Sequence, residues 1–532
     1  MSLVERVRLV LGIAIAGIGL WAGLAHAAEV RLQLKGGGFE ITGDLKVYDG
    51  KKYIVESPVF GLMTIDSNRF DCVSTNCPTA PTINPEFIGS PRAPLGNLGT
   101  TSWMGGSGIG TNFMPELVKS YAATRGFTVQ QTIGTDNRDL IFTLEDKAGK
   151  EVGTFNVLRR GVGQGYRDLI DDKVELVWTS ARMTDAQQAD FTAAGLGRMR
   201  VEGNEHVFAL DSMVALVSPD NPAVSISIEN LAAIYAGRIT DWAQLGLPPG
   251  KINVYAPVDG MGLLMHFKNT ILSPRGLTLT PDAYRLGTVV EWSDEVALDP
   301  NGISFNFIGY IRNAKALNIS TDCGLITRPT YFSAKTEEFP LSRRLYLYTK
   351  GRPKSLLGRE LLDHALSPEI QSVLKAANFV DQEPELLGFK EQGARIAYAL
   401  NAAAEDFDIE AMRNLITDIA PAERLSTTLR FVVGSFTLDP KALQDVQRLA
   451  QLLQKPEFKN RQVILLGFAD AVGGYASNLK LSQSRAKAVE AALRNAGFSG
   501  AITKGYSELA PVACNDTPEN REFNRRVEVW IK

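Results

Sequence analysis

Histidine and cysteine are both scarce in this 532-residue sequence, with four of each. Beyond residue 26, His206, His266 and His364 stand at no ligand spacing to one another or to a Cys, which removes a zinc site. Walker and His-Glu-x-x-His motifs are absent. A nucleophile elbow fails around Ser107 because Ile109 occupies the last glycine position, and in Gly161-Val162-Gly163-Gln164-Gly165 the third glycine of a dinucleotide fingerprint falls on Tyr166. Charge of one sign is lacking too. Lys plus Arg number 56 against 59 Asp plus Glu, a net charge of −3 that provides no field for nucleic acid. No long apolar run follows residue 25. The expectation is therefore a non-catalytic chain with no metal, cofactor or nucleic-acid partner. An envelope hydrolase on an unrecognised constellation is the enzyme alternative.

What is present is ordinary globular composition, 45% hydrophobic and 22% charged, over a length that calls for several domains. Arg6 and Arg8 precede the apolar residues 9–25 and the small-residue sequence Ala25-His26-Ala27, so residues 1–27 read as a secretory signal. The alternative is an uncleaved anchor, which Gly12, Gly17, Gly19 and Gly23 weaken. Export permits disulfides. Cys72 and Cys77 are expected to pair as a local staple contributing roughly 2 kcal/mol, while Cys323 and Cys514 are either free or paired across domains.

The fold class expected is multidomain α/β. Residues 28–80 alternate apolar and polar positions around Gly36-Gly37-Gly38 and Asp49-Gly50, as in a small antiparallel β module. Residues 81–99 hold Pro81, Pro85, Pro91 and Pro94, as in an extended linker. Residues 100–382 alternate strands and amphipathic helices, predicting two α/β lobes with largely parallel sheets. Residues 383–424 form a helical connector, with Ile396, Leu400, Ala403 and Phe407 at helical spacing. Residues 425–532 form a compact α+β domain.

In that last domain Gly467-Phe468-Ala469-Asp470 ends a strand, and Asn478, Leu481, Ser482 and Arg485 follow at helical spacing. An anion and a cation converging at one strand end suit a zwitterionic amino acid. An internal ion pair is the plainer alternative. The segment resembles the OmpA-like peptidoglycan-binding domain through these residues, through Gly505-Tyr506 before Pro511, and through Asn524-Arg525-Arg526-Val527-Glu528. The resemblance implies that Asp470 and Arg485 hold the diaminopimelate of the cell-wall stem peptide. Asn478 is implied as a helper, with Asn524 and Arg526 as support. Ala469 stands where the family usually has Thr.

Residues 100–382 resemble periplasmic phosphate-binding proteins of the PstS type, two-lobed solute receptors. The resemblance rests on Gly106-Ser107-Gly108-Ile109-Gly110-Thr111-Asn112, on Ile234-Tyr235-Ala236-Gly237-Arg238-Ile239-Thr240-Asp241-Trp242, and on Phe339-Pro340-Leu341-Ser342-Arg343-Arg344-Leu345-Tyr346. It implies an anion or solute site at Ser107, Gly108, Ile109, Thr111 and Asn112, joined by Ser180 and Arg182. The family's remaining polar ligands fall on Pro257, Met261 and Leu263, and Val162 replaces a hydroxyl. Three lost side-chain ligands could weaken phosphate by a factor on the order of a thousand. Either Met261, Leu263, Leu264 and Met265 line a cleft for a less charged solute, or they close it.

The whole reads as a periplasmic, wall-associated binding protein. Its expected partners are the stem peptide and a small anionic or neutral solute. The runner-up is a working phosphate receptor feeding an ABC transporter.

Overall fold

The computed structural model describes residues 29–48, 52–57, 61–78, 82–83, 97–401, 408–432 and 435–532. The expected signal segment 1–27, most of the proline-rich stretch 81–99, and Asp49, Gly50, Ala403 and Phe407 lie outside the described residues. The chain divides into two compact units, residues 1–95 and 96–532.

The first unit is a small antiparallel sheet. Strand Glu29–Leu34 pairs with Glu40–Tyr48, and Lys52–Ser57 and Gly61–Asp66 extend the meander. Phe70–Cys72 returns beside the first strand. Alternation explains the one-sided core: Val30 and Leu32 are fully buried while their neighbours face water. Gly36, Gly37 and Gly38 all take the left-handed φ that the first turn requires. Cys72 and Cys77 are bonded as expected.

The second unit is built on two large sheets. In the first, Glu205–Val217 is the central strand, almost wholly buried because layers cover both of its faces. Its first part pairs with Ser342–Thr349 and its second with Gly302–Phe307, so one strand runs through both halves of this region. Leu176–Thr179, Gly99–Gly105, Glu151–Leu158, Asp139–Glu145 and Thr128–Ile133 complete one half, and Asn253–Pro257 and Tyr284–Leu286 the other. The α/β class holds, but the expected predominance of parallel pairing does not. Parallel pairs occur on either side, whereas the strands joining the halves are antiparallel. The 146–150 turn also makes a hairpin of Asp139–Glu145 and Glu151–Leu158.

The C-terminal sheet runs in the order Leu386–Leu387, Glu423–Arg430, Arg526–Ile531, Val463–Gly467, Ile502–Gly505. Pleating splits its core in two. Val463, Leu465, Val527, Val529 and Ile531 face helices Pro440–Leu453 and Tyr475–Asn495. Ile464, Leu466 and Trp530 face the other way, against Ile396, Ala399, Met412, Leu415 and Ile419. Residues 383–424, expected as a connector, thus supply a strand and the second helical layer. They are drawn there because the sheet has two apolar faces to cover. Ala399 is buried and Leu400 is 42% exposed, one position off the expected register.

The PstS-like and C-terminal regions meet across buried ion pairs. Arg424 contacts both Glu338 and Glu528, and Glu337 takes Arg344 and Arg430. Arg344 also reaches Asp439 at 2.7 Å. Cys323 and Cys514, left open by the sequence, are bonded to each other across this boundary.

Candidate functional site

The strand Val463–Gly467 carries five buried residues and delivers Asp470 to its outer end. Helix Tyr475–Asn495 crosses that end closely, and this contact requires glycine. A Cβ on Gly467 would strike the Ser482 carbonyl, and one on Gly505 would strike the Gln483 backbone. The close approach brings Arg485 under the strand end.

Arg485 is 7% exposed. Its Nη1 donates to the Phe468 carbonyl at 3.3 Å, and its guanidinium lies 5.6 Å from the Phe431 ring centroid. Its Nε is buried without a hydrogen-bond partner, and among the described residues no carboxylate forms an ion pair with it. Burial, then the positive charge of Arg525, lower its pKa against the opposing pull of Asp470. Asp470 itself accepts from Arg525 Nη1 at 2.7 Å and from the Val472 amide at 3.0 Å. Asp470 and Arg485 therefore sit in one electrostatic field, but the direct ion pair joins Asp470 to Arg525. Arg525 belongs to the Asn524-Arg525-Arg526 motif, and its pairing with Asp470 is not among the roles that the resemblance implies. At the entry to a strand, adjacent arginines point to opposite sides, so a basic pair was the available signal.

Asn478 is 1% exposed and donates to the Asp470 carbonyl at 3.0 Å and to Glu508 at 3.2 Å, fixing the turn that presents Asp470. Asn524 accepts from the amides of Val512 and Ala513 and donates to Ala513 O and Asn515 Oδ1. Arg526 is fully buried on Glu528 and the Ala510 carbonyl, with burial as the main cause of a pKa pushed down to about 10.

The residues expected in the PstS-like site fall in two places. Ser107, Gly108, Thr111 and Asn112 are exposed on the short helix Ser107–Asn112, and Ile109 is buried against its base. Arg159 donates to Thr111 Oγ1 at 2.8 Å. Ser180 and Arg182 line a cavity of about 620 Å³ that includes none of those five. Arg182 is held bidentately by the buried Glu205, at 3.0 and 2.9 Å. Leu263 and Leu264, expected either to line a cleft or to close it, turn into the core, while Met265 is 56% exposed. Helical geometry separates their directions. Among the described residues no cluster of His, Cys, Asp and Glu could hold a metal, and no helix is long and apolar enough to cross a membrane.

Residues 138–369 match the PBP superfamily domain and residues 430–525 the OmpA family. The chain is 28% identical over 183 residues to the phosphate-binding protein PstS of Borreliella burgdorferi, covering 33% of this chain and 65% of that protein. It is 37% identical over 97 residues to outer membrane protein A of Bordetella avium, covering 18% and 49%. The chain thus spans 49% to 65% of the length of these two curated relatives. An ABC-type phosphate transport receptor from Vibrio cholerae aligns over 53% of this chain and 99% of its own, at 17% identity and a TM-score of 0.41. The chain joins a PstS-like domain of the PBP superfamily to a C-terminal OmpA-like domain.

Proposed function

We propose that this is a non-catalytic binding protein of the periplasm, held at the cell wall by its C-terminal domain. The observation that carries the reading is Arg485, a buried guanidinium that has no ion-paired carboxylate among the described residues. Burying an uncompensated charge costs several kcal/mol, an expense that a guest carboxylate would offset. In this mechanism the carboxylate of a stem-peptide diaminopimelate docks on Arg485 while its ammonium docks on Asp470. Arg525 holds Asp470 in place until the guest arrives, and Asn478 fixes the turn. The exported protein is expected to pellet with purified sacculi. Asp470→Ala and Arg485→Ala are each expected to move it to the supernatant, and unchanged pelleting of both variants would overturn the assignment.

The PstS-like domain is read as keeping the fold with an altered phosphate site. Pro257, Met261 and Leu263 offer no side-chain donors, and Arg182 is already committed to Glu205. Dehydrating a dianion without such partners is unfavourable. The second reading is a working phosphate receptor serving an ABC importer; the names of the PstS relatives, phosphate-binding proteins, favour its phosphate ligand. Calorimetric titration of the full chain separates the two. Micromolar or tighter phosphate binding would establish the second.

A further inference from the structure

The cavity holding Ser180 and Arg182 is shared between the two domains. At about 620 Å³ it falls within the roughly 300–1,000 Å³ of small-molecule sites. One wall comes from residues 180–201, the floor from 337–346, and the facing wall from residues 430–432, Asp439 and helix Pro518–Asn524 of the C-terminal domain.

Most charges inside it cancel. Glu337 and Asp439 absorb Arg344 and Arg430, Glu205 absorbs Arg182, Asp185 absorbs Arg200, and Asp211 absorbs Arg343. The remainder is segregated by domain. Arg198 stands on the PstS-like wall and Glu519 and Glu522 on the facing wall, and none has an ion pair or side-chain hydrogen bond among the described residues. A spare donor accompanies Arg198, since Arg182 uses only Nε and Nη2 on Glu205 and its side chain is 42% exposed. A guest carrying one charge would leave a wall unmatched, whereas a guest with both a carboxylate and an ammonium matches both.

We propose that this composite cavity binds a zwitterionic amino acid or short peptide. Its carboxylate points to Arg198 and the free edge of Arg182, and its ammonium to Glu519 and Glu522. The cavity adjoins the Asp470 cluster. Phe431 lines the one and lies under Arg485 of the other, and helix Pro518–Asn524 runs directly into Arg525. The peptide can thus come free from solution or attached to the wall. The inference rests on the two-domain assignment and not on the ligand of Asp470 and Arg485.

The test uses the full-length protein carrying Asp470→Ala and Arg485→Ala, so that the neighbouring cluster is silent. The free probe is the tripeptide L-Ala-γ-D-Glu-diaminopimelate, followed by calorimetry with acetate and phosphate as singly natured controls. Saturable one-to-one binding of the tripeptide is expected, weakened about fivefold or more by Arg198→Gln and by Glu522→Gln. In the chain with Asp470 and Arg485 intact, reduced sacculus retention by those two substitutions would support the wall-attached source. The proposal is overturned if the tripeptide does not bind and retention is unchanged. It is also overturned if the tripeptide binds equally well to both variants, or if acetate or phosphate binds as tightly as the tripeptide. Failure of all sacculus binding would sink the wall-anchoring reading while leaving the free-peptide arm decisive.

Discussion

Two half-buried histidines make the pH dependence of stability a property of single residues. Burial pushes the His206 imidazole down to about 4, and burial with the positive charge of Arg343 pushes His266 down to about 3. In the unfolded chain both take up a proton near 6.5. The stability gained by keeping them neutral is complete above about pH 6.5 and is lost as the pH falls toward the folded values. Asp211 works in the opposite sense: burial, outweighing Arg343, raises its carboxyl to about 6, so its protonation favours the fold as the pH drops through 6. With two groups against one, the urea midpoint is expected to fall between pH 6.5 and 4. His206→Gln is expected to flatten that fall, and an unaltered slope in the variant would remove His206 as a cause.

At the scale of elements, the contact between strand Val463–Gly467 and helix Tyr475–Asn495 decides whether Arg485 reaches the strand end. Gly467→Ala is expected to destabilise the domain by about 1–3 kcal/mol, because the obstructing group is backbone and cannot swing aside. Chemical denaturation measures the loss, and sacculus retention should fall with it if the helix shifts. This local pattern was readable in the sequence: Gly467 to Asp470 and the helical spacing to Arg485 lie within 19 residues. What escaped depends on distant pairing. Arg525 meets Asp470 from 55 positions away, and no periodicity encodes that. Residues 383–424 looked like a connector because amphipathic helices advertise an apolar face without naming its partner. That partner was the side of the C-terminal sheet carrying Ile464, Leu466 and Trp530. In the PstS-like region the same limitation left Leu263 and Leu264 open between lining a cleft and closing it, because apolar character fits both in a linear reading; the structure buries both.

On the scale of the molecule, the PstS-like and C-terminal regions of the second unit are joined by buried ion pairs and one covalent link. The 191-residue separation between Cys323 and Cys514 makes the loop long, so the chain-entropy argument assigns the bridge about 5 kcal/mol against the unfolded state. Cys323→Ser with Cys514→Ser is expected to lower the denaturation midpoint markedly, whereas removing the five-residue Cys72–Cys77 closure should matter less and only to the first unit. An equal effect of both double substitutions would contradict the loop-length account. The fusion, the α/β class and both family resemblances were legible because each domain carries its own motifs. The shared cavity was not legible, because its walls come from segments more than two hundred positions apart. The long bridge has one more consequence. A protease that severs the polypeptide anywhere between positions 323 and 514 would set nothing adrift: the PstS-like portion would stay tethered to the C-terminal portion until a thiol arrived to release it.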